Sequence, residues 1–378
     1  MFALYEEIKN RTYTIGPSTC FVVKKPVKRE IFAADFRDRI VHHLIFNYIN
    51  PIFEKHFIKD SYSCRIGKGT SYGIERIDHF IRSCSENYRK NCYVLKLDIS
   101  GYFMSMDRDI LYTKIEEKFK NISVAGSSCQ KFDADLVLYL VKTVVSNDPT
   151  KNCRVKGKRE DWIGMPKSKS LFCAKEGKGF PIGNLTSQLF GNIYLDEFDH
   201  FVQEKLGVKR YGRYVDDMVF VHCDKEFLKT VISEANDYLR KELTLTLHPR
   251  KIHLQESDHG VSFLGTFIKP RRIYIGKRVK GNFYGKIKKW NESIREKKNL
   301  NEKEIESFVA CMNSYLGTMK HYNSYELRKK MLDENVSEEL WQYVGNDETY
   351  ERVVYLHLVF GFLSIVSIIP CCVNCIVS

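Results

Sequence analysis

The chain has 378 residues, 43% of them hydrophobic, with 60 lysines and arginines against 47 aspartates and glutamates and a formal net charge of +13. Such a composition excludes a disordered chain, and the length supports a core divided over two or three subdomains. The basic excess favours a polyanionic partner, nucleic acid first and an anionic membrane surface second. As far as Cys311 the cysteines stand singly, without CxxC…CxxC pairing, which fits reduced thiols better than a disulfide framework. Cys371, Cys372 and Cys375 lack a nearby His or carboxylate to complete a zinc site. The opening "MFALYEEIKNR" has early acids and no apolar run of the kind a signal peptide needs.

In chain order, "DFRDRIVHHLIFNYINPIFEKHF" predicts a helix, with Ile40, Leu44 and Tyr48 at helical spacing, Val41 and Ile45 beside them, and a break at Pro51. "SYSCRIGKGTSYGIERIDHFI" predicts a basic loop running into a helix. Gly67 and Gly69 flank Lys68, which suits close backbone approach to phosphates and equally suits a plain surface turn. "NCYVLKLDISGYFMSMDRDIL" predicts a strand ending near Asp98, then a turn and a helix. Tyr93, Leu95 and Leu97 share one face of that strand, and Lys96 and Asp98 share the other. Residues 112–180 carry polar loops and little signal. "KGFPIGNLTSQLFGNIYLDEFDHFV" predicts a long amphipathic helix striped by Leu185, Leu189 and Ile193, with Asn184 as its cap.

"YGRYVDDMVFVH" predicts a hairpin with Asp216 and Asp217 at its turn. A helix near Lys225–Leu243, strands in "LTLHPRKIHL" and "VSFLGTFI", and very basic helices from Gly276 to Leu332 follow. From Val353 onward there is no Lys, Arg, Asp or Glu, and Val353 to Ile369 is only just long enough to span a bilayer. A membrane anchor, a buried terminal segment and an accidental reading frame all remain open for that tail.

Adjacent carboxylates in an apolar run raise each other's pKa unless a cation neutralises them. Asp216 and Asp217 therefore belong either to a solvated turn or to half of a metal site. Asp98 joins them if its strand neighbours the hairpin in one antiparallel sheet. Such hard oxygen ligands suit Mg²⁺, and two ions roughly 3.5–4 Å apart would activate an attacking 3′-hydroxyl and stabilise departing pyrophosphate.

With these residues in place the chain resembles the reverse transcriptases. Tyr214-Val215-Asp216-Asp217 matches their YxDD signature, "LDISGYF" their first catalytic motif, "HPRKIHL" the lysine-bearing motif and "FLG" the primer grip, in the family's order. The resemblance implies an α+β right-hand polymerase with fingers, a palm built on an antiparallel sheet and a helical thumb. Residues 1–92 would be the N-terminal segment and fingers, 93–270 the palm with inserted fingers elements, 271–335 the thumb, and 336–378 a tail of unknown role. Asp98, Asp216 and Asp217 would hold two Mg²⁺ ions, the Ile99 carbonyl adding a ligand, and Lys251 would protonate pyrophosphate. Phe103 would be the steric gate, Arg65 and Lys68 would grip triphosphate or template, and Ile182, Gly183 and Gln188 would lie beside the incoming dNTP. Phe263, Leu264 and Gly265 would grip the primer.

Where group II intron and many retroviral enzymes have Ser-Pro, this chain has Ser187-Gln188. "IGNLTSQLFGNIYL", with "NDPTKNC" upstream and "SYLGTMKHYNSYELRKKM" downstream, resembles the reverse transcriptases of diversity-generating retroelements. Those enzymes copy a template-repeat RNA into cDNA with errors at adenines, alongside a small accessory variability protein that forms a basic oligomer. No RNase H, maturase or endonuclease domain is recognisable after the thumb-like segment, which fits that compact branch; the charge-free tail departs from it. A cytoplasmic, bacterial or phage-encoded setting follows from the resemblance. Two alternatives stand beside it: a retron or phage-defence reverse transcriptase, and a non-catalytic RNA-binding protein on a polymerase fold.

Overall fold

The computed structural model describes residues 2–24, 27–124 and 133–356 and divides into two units, Met1–Ser257 and Asp258–Ser378. In chain order the first unit holds α1 (Phe2–Lys9), β1 (Ser18–Val23), β2 (Arg29–Ala33), α2 (Phe36–Glu54), α3 (Thr70–Cys84), β3 (Tyr93–Asp98), α4 (Tyr102–Ser105), α5 (Arg108–Val124), α6 (Ala134–Ser146) and β4 (Cys153–Val155). It continues with α7 (Leu185–His200), β5 (Tyr211–Tyr214), β6 (Asp217–His222), α8 (Lys225–Glu242) and β7 (His253–Glu256). One sheet has the order β2-β1-β4; the other, β5-β6-β3-β7, is antiparallel throughout.

The alternation of β3 and the apolar run of β6 place Leu95, Leu97, Met218 and Phe220 in one core with Phe190, Tyr194 and Phe198 of α7. α7 is not amphipathic: it is buried nearly all round, down to Thr186, Ser187, Asn192, Asp196 and Asp199. It packs on both α2 and α5, which leaves only Gln188 and Glu197 exposed along it. Asn184 stands at its N-cap position without capping; its Oδ1 instead accepts from the Ala34 N–H at 3.1 Å, tying the helix entry to the end of β2.

α2 runs through Pro51 rather than breaking there. The proline is exposed and in the last turn, where it forfeits one backbone hydrogen bond without stopping the chain. The buried stripe is Val41, Ile45, Ile49 and Phe53, one residue on from the Ile40–Leu44–Tyr48 spacing, with Tyr48 left exposed. "LTLHPRK" forms only an isolated bridge between Leu247 and Ile99, and pairing resumes at β7. Pro249 between them has no N–H to give a ladder. The polar loops at 156–178 are pinned by buried Glu30, whose carboxylate accepts from Trp162 Nε1 (2.6 Å), Ser170 Oγ (2.9 Å) and Leu171 N (2.6 Å).

The second unit comprises β8 (Val261–Phe263), β9 (Thr266–Lys269), β10 (Arg272–Ile275), α9 (Lys277–Lys297), α10 (Glu302–Met319), α11 (Tyr325–Asp333), α12 (Glu338–Trp341), β11 (Val344–Asn346) and β12 (Val353–Tyr355). Phe283, Ile287 and Ile294 of α9 and Phe308, Met312 and Leu316 of α10 share its core. An Asn301–Glu304 capping box starts α10. The charge-free tail begins in β12, paired with β11, where Asn313 Nδ2 donates to the Val353 carbonyl at 2.8 Å. Residues 357–378, including Cys371, Cys372 and Cys375, lie outside the described residues. Among the described residues no helix is long and apolar enough to cross a membrane, and the cysteines are free thiols.

Candidate active site

The register of the four-stranded sheet assembles the acids. Pairing of β3 with β6 sets Asp98 opposite Asp217, and pairing of β5 with β6 sets Tyr214 opposite Asp217. Val215 and Asp216 are left as the two-residue turn. Val215 has φ +57°, a left-handed conformation that a β-branched side chain adopts only under constraint.

Arg213 supplies the constraint. Its guanidinium is fully buried and donates from Nη1 to the Val215 carbonyl at 2.9 Å. It also donates from Nε to Asp199 Oδ1 at 2.8 Å and from Nη2 to Oδ2 at 2.6 Å. The Tyr211 hydroxyl donates to Asp199 Oδ1 at 2.7 Å. This bidentate, charge-assisted pair anchors the turn to α7. Sequence reasoning missed both partners; an arginine inside the apolar strand "YGRY" was the one signal.

The acids themselves are less completely matched. Lys251 Nζ donates to Asp98 Oδ2 at 2.7 Å, brought there by a turn in which the His248 N–H donates to the Asp98 carbonyl (2.7 Å) and the Lys251 N–H to the His248 carbonyl (2.9 Å). Lys96 Nζ lies 3.4 Å from Asp217 Oδ1. Asp98 Oδ1 is buried with no hydrogen-bond partner. Burial, then the charge of Asp98, pushes the Asp216 carboxyl up to about 6, with Asp217 adding to the shift and Lys251 opposing it. Oxygen donors alone, one of them buried and unpartnered, make a set that fits a hard divalent cation such as Mg²⁺.

Residues 23–268 match the family of reverse transcriptases (RNA-dependent DNA polymerases). The chain belongs to that family. It is 24% identical over 276 residues to protein YkfC of Escherichia coli K12, covering 64% of each chain. To the mitochondrial nuclear intron maturase 4 of Arabidopsis thaliana it is 25% identical over 203 residues, 52% of this chain and 20% of that one. The chain thus spans less than two thirds of these relatives. Among solved structures, apo telomerase from Candida tropicalis aligns with a TM-score of 0.50 at 12% identity, covering 87% of this chain and 62% of that one. That likeness and the antiparallel four-stranded sheet show the α+β right-hand polymerase fold.

Around the acids of this reverse transcriptase domain, Phe103 sits on the short α4, its ring 5.3 Å from that of Tyr102. The ring lies against Gly191, where an added Cβ would stand 3.3 Å from Phe103 Cε1. Ile99 is buried at the backbone bridge to Leu247. Ile182 packs, half-buried, against Cys20, Phe32, Met104 and Leu171, and its carbonyl accepts from the Phe32 N–H at 2.9 Å. Gly183 has φ +126°, and a Cβ there would meet Ile31 Cγ2 at 2.8 Å. Gln188 is exposed in the first turns of α7.

Arg65 is committed within the protein. It donates from Nε to Glu54 Oε1 at 2.9 Å and from Nη1 to the Ile58 carbonyl at 2.6 Å and the Ser61 carbonyl at 3.0 Å, with only 5% of its side chain exposed. Lys68 donates to the Lys59 carbonyl at 2.5 Å and lies over the Tyr72 ring. Burial and the nearby Arg65 charge lower its pKa to about 8. Phe263, Leu264 and Gly265 belong to the second unit, where Leu264 (φ +45°) and Gly265 (φ +87°) make the tight β8–β9 turn.

Proposed function

We propose that the chain is an RNA-directed DNA polymerase whose Asp98, Asp216 and Asp217 carboxylates hold two Mg²⁺ ions for nucleotidyl transfer. The observation that carries this is the register: Asp98 opposite Asp217, Asp216 on the turn they share, and Asp98 Oδ1 left without a partner. When bound, the ions supply the charge that activates a primer 3′-hydroxyl and stabilises pyrophosphate. Lys251 and Lys96 neutralise the acids from the protein side, and Lys251, half-exposed, is placed to turn from Asp98 toward the departing phosphates. Phe103, braced on Gly191, is the surface on which a nucleotide sugar rests. The helical second unit, with exposed Lys286, Lys288 and Lys289 on α9, serves as the thumb on a template–cDNA duplex.

The finer reading is error-prone copying of a template-repeat RNA, with an accessory variability protein, for gene diversification. Ser187-Gln188 and Ile182, an apolar residue at a place where accurate enzymes commonly carry glutamine, support it. A second reading, intron-type copying, draws on the similarity to intron maturases. Primer extension on a defined RNA with Mg²⁺ and dNTPs, followed by cDNA sequencing, tests both. Substitutions concentrated opposite template adenines, reduced by Ile182→Gln, are expected. Faithful copying favours the intron-type reading, and RNA binding without extension overturns the polymerase assignment.

A further inference from the structure

A second set of metal-ligating side chains shares no residue with the acidic site. His56 lies just beyond α2; Asp196 and His200 lie one helical turn apart on the same face of α7, which ends in a π-helical turn, Phe201–Lys205. One ligand atom from each of the three falls within 4.8 Å of the other two. We propose that His56, Asp196 and His200 bind a divalent transition-metal ion of the Zn²⁺ class.

The burial pattern supports a ligand. Asp196 is 4% exposed, and although His56 Nδ1 bonds its Oδ2 at 2.5 Å, its buried Oδ1 has no hydrogen-bond partner. A buried carboxylate oxygen left bare is costly unless something else binds it. His200 Nε2 stands 3.8 Å from that oxygen. The other ring nitrogen, Nδ1, is 2.8 Å from Glu204 Oε1, the carboxylate–histidine arrangement that orients an imidazole for a metal. His200 Nε2 also contacts the His56 carbonyl at 3.0 Å, so an ion displaces the proton shared there.

Two imidazoles and one carboxylate select a first-row transition ion over Mg²⁺ and leave positions for water. Binding would draw the three donors, which lie within 4.8 Å of one another, to bonds of about 2.0–2.2 Å. His56 is 40% exposed, which gives the ion a way in. Bound there, the ion cross-links the segment after α2 to α7 across 140 residues of sequence, which stabilises the folded unit by mass action.

The test uses the full chain, stripped with chelator and titrated with Zn²⁺ by calorimetry, with X-ray absorption on the complex. One tight equivalent with only nitrogen and oxygen neighbours is expected, together with a raised thermal midpoint. Both are lost in His56→Ala, a substitution at a partly exposed position, and in Asp196→Asn, and both are retained in Asp216→Asn. Absence of a bound equivalent, sulfur in the metal's shell, or undiminished binding by His56→Ala overturns the proposal and leaves the three residues as a hydrogen-bonded cluster.

Discussion

Arg213 and Asp216 stand on one hairpin, and the protein treats their charges in opposite ways. The Arg213–Asp199 pair is shielded from solvent, both side chains 0% exposed, and the guanidinium reaches two carboxylate oxygens and a carbonyl. At the turn, the acids remain partly exposed, Lys96 stands off at 3.4 Å, and Asp98 Oδ1 has no partner. A saturated buried pair fixes geometry and has nothing left to offer a ligand. Unsaturated carboxylates beside it are a poor structural device and a good set of ligands. The first makes the second possible, because Arg213 holds Val215 in the conformation that presents Asp216.

The largest effect expected comes from breaking the saturated side. Arg213→Ala strands Asp199 in the core and should cost about 3–5 kcal/mol in urea unfolding. Replacing both partners with apolar residues (Arg213→Met with Asp199→Leu) should restore most of that stability. It does not restore the hold on Val215, so primer extension should stay low in the folded double variant. A decrease under about 1 kcal/mol for Arg213→Ala would show that the pair is not the anchor.

A smaller effect is expected on the unsaturated side. Folding raises the Asp216 pKa from 3.8 to about 6, so the folded state resists its ionisation. That contribution favours folding fully below about pH 4 and is lost as pH rises through 6. Asp216→Asn should therefore match the wild type at pH 4 and exceed it at pH 7.5 by up to about 3 kcal/mol, with chelator present. Equal stability at both values would place Asp216 on a solvated turn. Mg²⁺ should raise the midpoint of the wild type and not that of the variant.

How far the site was legible follows from the same contrast. Asp98, Asp216 and Asp217 announce themselves through local pattern, an acid closing a strand and a doubled acid inside an apolar run, whereas Lys251 is marked only by the resemblance of "HPRKIHL" to a family motif. The structure brings all four together. Asp199 was invisible because its meaning depends on a strand that follows it, and Arg65 read as a free cation because nothing local shows that Glu54 holds it. α7 read as amphipathic because leucine spacing was visible and the covering of its polar side was not. In α2 both apolar stripes were visible, and only packing decides that the one through Val41 and Ile45 is the buried one. The β8–β9 turn was hidden in a stretch, "VSFLGTFI", whose pattern reads as strand throughout, with only Gly265 to mark it.

The smallest effect concerns the second unit. If α9 tracks a duplex backbone, replacing exposed Lys286, Lys288 and Lys289 with alanine should flatten the salt dependence of template–primer binding. The log–log slope should fall by about 0.7–0.9 for each phosphate that is no longer neutralised. An unchanged slope assigns those lysines to solvent.

The claim that the bare acids are ligands is tested most directly by primer extension with Asp216→Asn beside the wild type, on the same RNA template with Mg²⁺. RNA binding and unfolding should be followed in parallel. A folded variant that binds template and extends no primer is expected. Extension at near wild-type rate would contradict the assignment.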